Sequence, residues 1–334
     1  MRICTFSLGG DPRVGILFGE RIADLTLAFA LSLRDADPAE ATEATEAAEE
    51  IVAPTCEELL EDSETTRLIA DSAIKALRAL KRKKQPLAFD GLPVVHDPES
   101  VEILPPVSEV TLFCMARNYV AHAAEMARTK INDFKEELPL YCFIKPATCI
   151  NGPYDPVVVS RSVKRLDYEL ELGIVIGRGG RNIPAGKAMD HVGGYTLIND
   201  MSDRGNLSVG DNKRFIDWYA MKGPDGFAPT GPYILLNDEK TDPHKLRLRL
   251  WVNGELRQNA STGDMIWKVD EQVAYLSTIA TLRPGDIIAT GSPAGNAASW
   301  GKFLKPGDII EGEISKIGRQ RYEIKAERLK YTIL

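Results

Sequence analysis

The sequence predicts a mixed α+β chain, predominantly β, with a small N-terminal α+β domain over residues 1–104 and a β-rich domain over 105–334. Three observations point there. Strict apolar alternation at Leu246, Leu248, Leu250 and Val252 runs into Asn253-Gly254, the preferred pair for a tight hairpin turn. The phrase Pro-Gly-Asp recurs before apolar runs at 284–291 (PGDIIATG) and 305–314 (KPGDIIEGEI), two similar corners each leading into a strand. Helical periodicity, by contrast, concentrates before residue 90.

From the N-terminus, RICTFSL, VGILFG and ERIADLT read as short strands, with Gly9-Gly10 and Asp11-Pro12 at the first turn. Asp35 to Glu50, rich in Ala, Glu and Thr, reads as a solvated helix or a loop. Residues 56–84 read as one helix. Glu57, Glu58, Glu61 and Asp62 crowd its start and Lys81 to Lys84 its end, as the helix dipole favours, and Ile69, Ala73, Leu77 and Leu80 form an apolar stripe. Pro86 stops it, and LPVVHDPESVEILPPV reads as a linker ending near residue 105.

Composition narrows the function classes. With 41 basic and 48 acidic residues the formal charge is -7, which argues against a nucleic-acid binder. The basic end of the 56–84 helix is read as a solvated terminus rather than a nucleic-acid patch. No run of about 18 apolar residues is present, so no spanning helix is expected. The N-terminus lacks the apolar core of a signal peptide, and five cysteines without a C-x-x-C pair indicate neither a disulfide framework nor structural zinc. The expectation is a cytoplasmic protein with reduced thiols.

The chemistry concentrates in DYELELGIVIG, residues 167–177. On a strand Glu169 and Glu171 share a face, about 7 Å apart at Cα, and Leu170 and Leu172 take the other. An exposed polar face also carries glutamates in this pattern. HVGGYTLINDMSDR adds Asp200 at the exit of a second strand, however, and three carboxylates on neighbouring strands suit a hard cation such as Mg²⁺ or Mn²⁺. With no cysteine or histidine near them in sequence, zinc is disfavoured. His122 and Glu125 stand at i and i+3 in ARNYVAHAAEM, a spacing that lets a carboxylate raise the basicity of an imidazole and that surface ion pairs share. His96, His191 and His244 lack such a neighbour and read as structural. Lys145 and Lys222 interrupt apolar or turn-rich stretches, where a lysine is either surface or the partner of a buried anion. Arg117 and Arg204 add positive charge near the acidic segments.

Taken in order, RNYVAHAAEM, FIKPATCINGP, DYELELGIVIG, HVGGYTLINDMS, KGPDGFAPTGP, VNGELRQ, LRPGDIIATGSPAG and LKPGDIIEGEI resemble the fumarylacetoacetate hydrolase superfamily, and within it the acylpyruvase-type hydrolases. The resemblance covers about residues 105–325. It implies a β-rich catalytic domain peculiar to that superfamily, usually dimeric, with one Mg²⁺ or Mn²⁺ held by Glu169, Glu171 and Asp200. It implies a His-Glu dyad at His122 and Glu125, an active-site lysine at Lys222 and a substrate-contacting threonine at Thr290; Arg117, Tyr119, Lys145 and Arg204 are further candidates for substrate binding. The implied substrates are 1,3-diketo acids of acylpyruvate or fumarylpyruvate type, cleaved at a carbon–carbon bond. Three positions depart from the pattern. Leu207 stands where the family has a water-positioning glutamine, with Asn206 beside it. Ser292 replaces a threonine in TGSPAGNAASWG, whose Trp300 loop differs from the family phrase. Ala116 precedes RNY where glycine is usual. The loss of the glutamine keeps open an isomerase (tautomerase) or decarboxylase of a 2-oxo diacid on the same metal site. A non-enzymatic binding module is a third reading.

Overall fold

The computed structural model describes residues 1–36, 43–126, 134–206, 216–238 and 240–328. Leu207 lies outside them. Its largest sheet has eleven strands. From one edge the order is Val95–His96, Arg21–Asp24, Arg13–Phe18, Arg2–Ser7, Ile234–Leu236, Val192–Asn199, Leu170–Ile176, Ile287–Ala289, Leu112–Met115 and Cys142–Lys145. Glu102–Leu104, off this order, pairs with the Thr5–Ser7 end of Arg2–Ser7. A second sheet of five strands runs Val157–Val159, Gly318–Ala326, Ile309–Ile314, Arg247–Val252, Glu255–Ser261.

The central strand Leu170–Ile176 is buried at every position, because both faces of the large sheet are covered. Leu170, Leu172, Ile174 and Ile176 pack toward the second sheet, in one core with Leu248, Leu250, Ile310 and Ile324. Val175, on the opposite face with Glu169 and Glu171, joins a core with Ala28, Leu31, Ile69, Ala73 and Leu77 of the N-terminal helices. Strand alternation thus sorts the leucines to one layer and the carboxylates to the other.

The hairpin Arg247–Val252 to Glu255–Ser261 turns at Asn253 and Gly254, with φ of 51° and 79°. The two Pro-Gly-Asp corners are built alike. Gly285 and Gly307 have φ of 83° and 94°, and the following aspartate accepts the backbone N–H three residues back, Asp286 from Arg283 at 2.8 Å and Asp308 from Lys305 at 2.9 Å.

The N-terminal third corrects several readings. Residues 56–84 form two helices, Cys56–Glu61 and Ser63–Arg82. Asp62 breaks the run by capping the second with its carboxylate, which accepts the Thr65 N–H at 3.0 Å. Leu25–Ala36 is a further helix, and Ala44–Ile51 takes the helical option for its stretch. The supposed linker is stitched into the large sheet, since Val95–His96 pairs with Arg21–Asp24 and Glu102–Leu104 with Arg2–Ser7. Residues on both sides of position 105 therefore share one sheet and one core. No helix among the described residues is long and apolar enough to cross a membrane.

Candidate active site

Several functional side chains leave the sheet at one end. There Leu170–Ile176 begins while its neighbours Val192–Asn199 and Ile287–Ala289 end, and Leu112–Met115, parallel to the last, ends beside them. A cavity of about 450 Å³ opens at this end and is lined by Arg117, His122, Glu169, Glu171, Asp200, Arg204 and Lys222 among others.

Glu169, Glu171 and Asp200 are buried and each offers an oxygen, all within 4.8 Å of one another. The strand pairing explains this. Glu171 faces Ile198 on the neighbouring strand, and Asp200 N–H donates to the Glu169 carbonyl at 2.8 Å, which holds the strand exit against the strand entry.

Three cations neutralise the cluster. Lys222 donates to Glu169 Oε2 and Asp200 Oδ2. Lys145 donates to Asp200 Oδ1 at 2.8 Å and to the carbonyls of Met201 and Phe227 at 3.0 and 2.7 Å. Arg204 bridges Asp167 Oδ2 at 3.0 Å and Glu169 Oε1 at 2.6 Å. Burial pushes the Glu169 carboxyl up, but Arg204 and Lys222 outweigh it and hold the group well below the usual carboxylate range. Glu171 has no such partner. Burial, then Asp200 and Glu169, push it well above that range, and among the described residues the Gly291 N–H, at 2.7 Å, is the donor to its Oε2. Gly291 has φ of 96°, and a Cβ there would meet the Asn118 Cβ at 2.8 Å, so the donor needs glycine. A divalent cation held beside Glu171 would offset that upward push and favour the ionised acid. Oxygen donors alone suit Mg²⁺ or Mn²⁺, and the triad fits one such ion.

His122 sits on the helix Val120–Met126 and is buried at the cavity wall. Burial is the main cause holding its pKa below the usual value, so the ring is neutral at pH 7. Its Nδ1 has no hydrogen-bond partner among the described residues and lies 3.9 Å from Glu125 Oε2. The cavity lining is also aromatic, with Phe143 stacked on Trp218 at 4.9 Å. Arg117 stands exposed at the lining with φ of 54°.

Tyr119, Lys145 and Thr290, expected at the substrate, are fully buried and do not line this cavity. Lys145 spends its donors on Asp200 and two carbonyls, and Thr290 lies inside the loop where its N–H donates to the Leu172 carbonyl at 2.9 Å. Substrate contact by these three stays an expectation of the sequence reading. Sequence reasoning missed Asp167, which extends the 169/171 alternation one step upstream and was therefore legible. It also missed Asn296, whose amide donates to Glu169 Oε1 at 3.3 Å and which no local pattern marks.

The sequence profile of the fumarylacetoacetate hydrolase C-terminal family matches residues 111–325, well over half of the chain. The chain belongs to this family. It is 38% identical, over 66% of its length and 90% of the relative's, to an uncharacterised protein of Pyrococcus horikoshii. Among solved structures it is similar to a maleylpyruvate hydrolase of Sphingobium sp. SYK-6, in complex with manganese(II) and pyruvate, at 28% identity and a TM-score of 0.69 over 98% of this chain and 100% of that one. A fumarylacetoacetate hydrolase of Exiguobacterium antarcticum aligns at 27% identity and a TM-score of 0.72, with coverage of 98% and 100%. A 2-hydroxyhepta-2,4-diene-1,7-dioate isomerase of Mycobacterium marinum aligns at 32% identity and a TM-score of 0.59, covering 72% and 83%. The fumarylacetoacetate hydrolase fold thus accommodates both hydrolases and isomerases.

Proposed function

We propose that this member of the family is a divalent-metal-dependent hydrolase that cleaves a carbon–carbon bond in a 1,3-diketo acid of acylpyruvate or fumarylpyruvate type. The observation that carries this reading is the meeting of the carboxylate triad, the Lys222 ammonium and the buried neutral His122 on one cavity. At about 450 Å³ it suits a small molecule. Glu169, Glu171 and Asp200 would hold Mg²⁺ or Mn²⁺, which supplies Lewis acidity toward a chelating 2-oxo acid.

In this reading the neutral imidazole of His122 takes a proton from water as the hydroxyl adds to the distal carbonyl carbon. Lys222 and Arg117 offer positive charge to the oxyanion that forms there. Collapse breaks the carbon–carbon bond, the electron pair leaves on the pyruvate enolate, and the imidazolium returns the proton to that carbon. The products are pyruvate and a carboxylic acid. Arg204, tied to Asp167 and Glu169, orients the triad.

A second reading, isomerisation or decarboxylation of a 2-oxo diacid, is favoured by Leu207 at the glutamine position. It needs the same enolate but no water. The test is acylpyruvate consumption with Mg²⁺ or Mn²⁺ and with chelator, products identified. Metal-dependent pyruvate plus free acid supports hydrolysis. Intact carbon skeleton or released CO₂ from a 2-oxo diacid, with acylpyruvates untouched, overturns it. The homodimer that the resemblance implies is tested by sedimentation.

A further inference from the structure

The loop Ser292–Gly301 departs from the family phrase and runs beside the helix that carries His122. It is held from three directions. Ala297 and Ala298 N–H groups donate to the Asp167 carboxylate at 2.5 and 3.3 Å. The Arg257 guanidinium lies 4.7 Å over the Trp300 ring. Gly295, with φ of 98°, passes so close to the Arg257 backbone that a Cβ would come within 2.1 Å of its carbonyl oxygen. Asn296 adds its amide contact to Glu169. The loop is thereby fixed to the carboxylate cluster.

From this base Ser299 reaches the helix. Its Oγ lies 2.8 Å from Glu125 Oε2 and 3.0 Å from Asn296 Oδ1. A hydroxyl has one proton for these two acceptors, and the ionised carboxylate is the stronger. The same Glu125 Oε2 is the atom 3.9 Å from the unpartnered His122 Nδ1. Without Ser299, Glu125, which is 37% exposed at its side chain, is free to turn into solvent and leave the imidazole alone.

We propose that Ser299 is a positioning residue for the His122–Glu125 pair, holding the Glu125 carboxylate where it can orient the imidazole with Nδ1 protonated and Nε2 free to act as base. This rests on the hydrolase reading for its catalytic consequence. It makes the Trp300 loop a strut from Asp167 and Glu169 to the base, so that the metal ligands and the imidazole are set in one frame.

The test compares Ser299→Ala, Ser299→Thr and Glu125→Gln, with the Ser299→Ala/Glu125→Gln double variant, in the metal-loaded protein. Ser299→Ala should lower kcat roughly tenfold, the scale of one lost charge-assisted hydrogen bond, with KM and Mn²⁺ affinity unchanged. Ser299→Thr, which keeps the hydroxyl, should restore most of it. The double variant should be no slower than Glu125→Gln alone. Independently of turnover, amide hydrogen exchange across Val120–Met126 should quicken in Ser299→Ala and return toward normal in Ser299→Thr. Wild-type kcat in Ser299→Ala, or additive losses in the double variant, would overturn the proposal. If the wild type turns over no acylpyruvate, the hydrolase reading fails, and hydrogen exchange decides the strut: an unchanged rate in Ser299→Ala removes it.

Discussion

The Lys222 ammonium and the Asp200 carboxylate meet inside the cavity, where Lys222 donates to Asp200 Oδ2 and at the same time to Glu169 Oε2. These oxygens belong to two of the three carboxylates that fit a divalent cation. Burial works against the charge on Lys222, and Asp200 and Glu169 overcome it, so the amine stays protonated. Lysine and metal ion would therefore draw on the same two carboxylates. At an effective dielectric of about 20, a unit charge some 4 Å away exerts on the order of 4 kcal/mol on another. Lys222→Met should bind Mn²⁺ about tenfold more tightly or better by calorimetry, while turnover falls. Equal or weaker binding would sink the competition.

His122 supplies the basicity in the proposed reaction and touches no member of the triad by hydrogen bond. His122→Ala should leave Mn²⁺ affinity as it is and lower kcat by about 10²–10⁴-fold. Retained turnover would take His122 out of the mechanism.

Lys145 shows a structural use of charge. Its ammonium is wholly buried with three acceptors, and Lys145→Met would take this donor from Asp200 Oδ1 and the Met201 carbonyl, while the Phe227 carbonyl keeps the Met201 N–H at 3.1 Å. Breaking a buried pair costs about 3–5 kcal/mol, so urea unfolding should shift by that scale and Mn²⁺ affinity should fall with it, because Asp200 loses its orientation. A variant of unchanged midpoint would refute the assignment.

His244 links stability to pH. Its Nε2 accepts the Val269 N–H at 3.2 Å at the start of the helix Val269–Ile279, a role open only to the neutral ring. Burial first, then Lys268, lowers its pKa from 6.5. Between that lowered value and 6.5 the unfolded chain binds more protons than the native one, so this contribution is complete above 6.5 and is lost as pH falls through the window. The drop in Tm between pH 7 and pH 5 should be smaller in His244→Asn than in the parent. An equal drop in both would exclude His244.

Much of the site was legible where a local rule applied. Period two placed Glu169 and Glu171 on one face, and the helical i, i+3 spacing put His122 and Glu125 on one side of a turn. The same spacing gave no warning that the pair stands 3.9 Å apart and that Glu125 also accepts from Ser299, 174 residues along the chain. Asp62 misled the reading of 56–84 because an aspartate within an acidic helix start is indistinguishable by composition from one that caps a new helix.

By itself, the sequence determined the family, the hairpin at Asn253-Gly254, the paired Pro-Gly-Asp corners and the facing of the carboxylates, since each depends on residues a few positions apart. Only the tertiary structure decided which cations neutralise those carboxylates. Lys145 and Asp200 are 55 residues apart, and Arg204 and Glu169 are 35. It also decided that Val95–His96 and Glu102–Leu104 pair into the large sheet, because strand pairing over up to about a hundred residues is chosen by which apolar faces must be covered together, and no local periodicity records that choice.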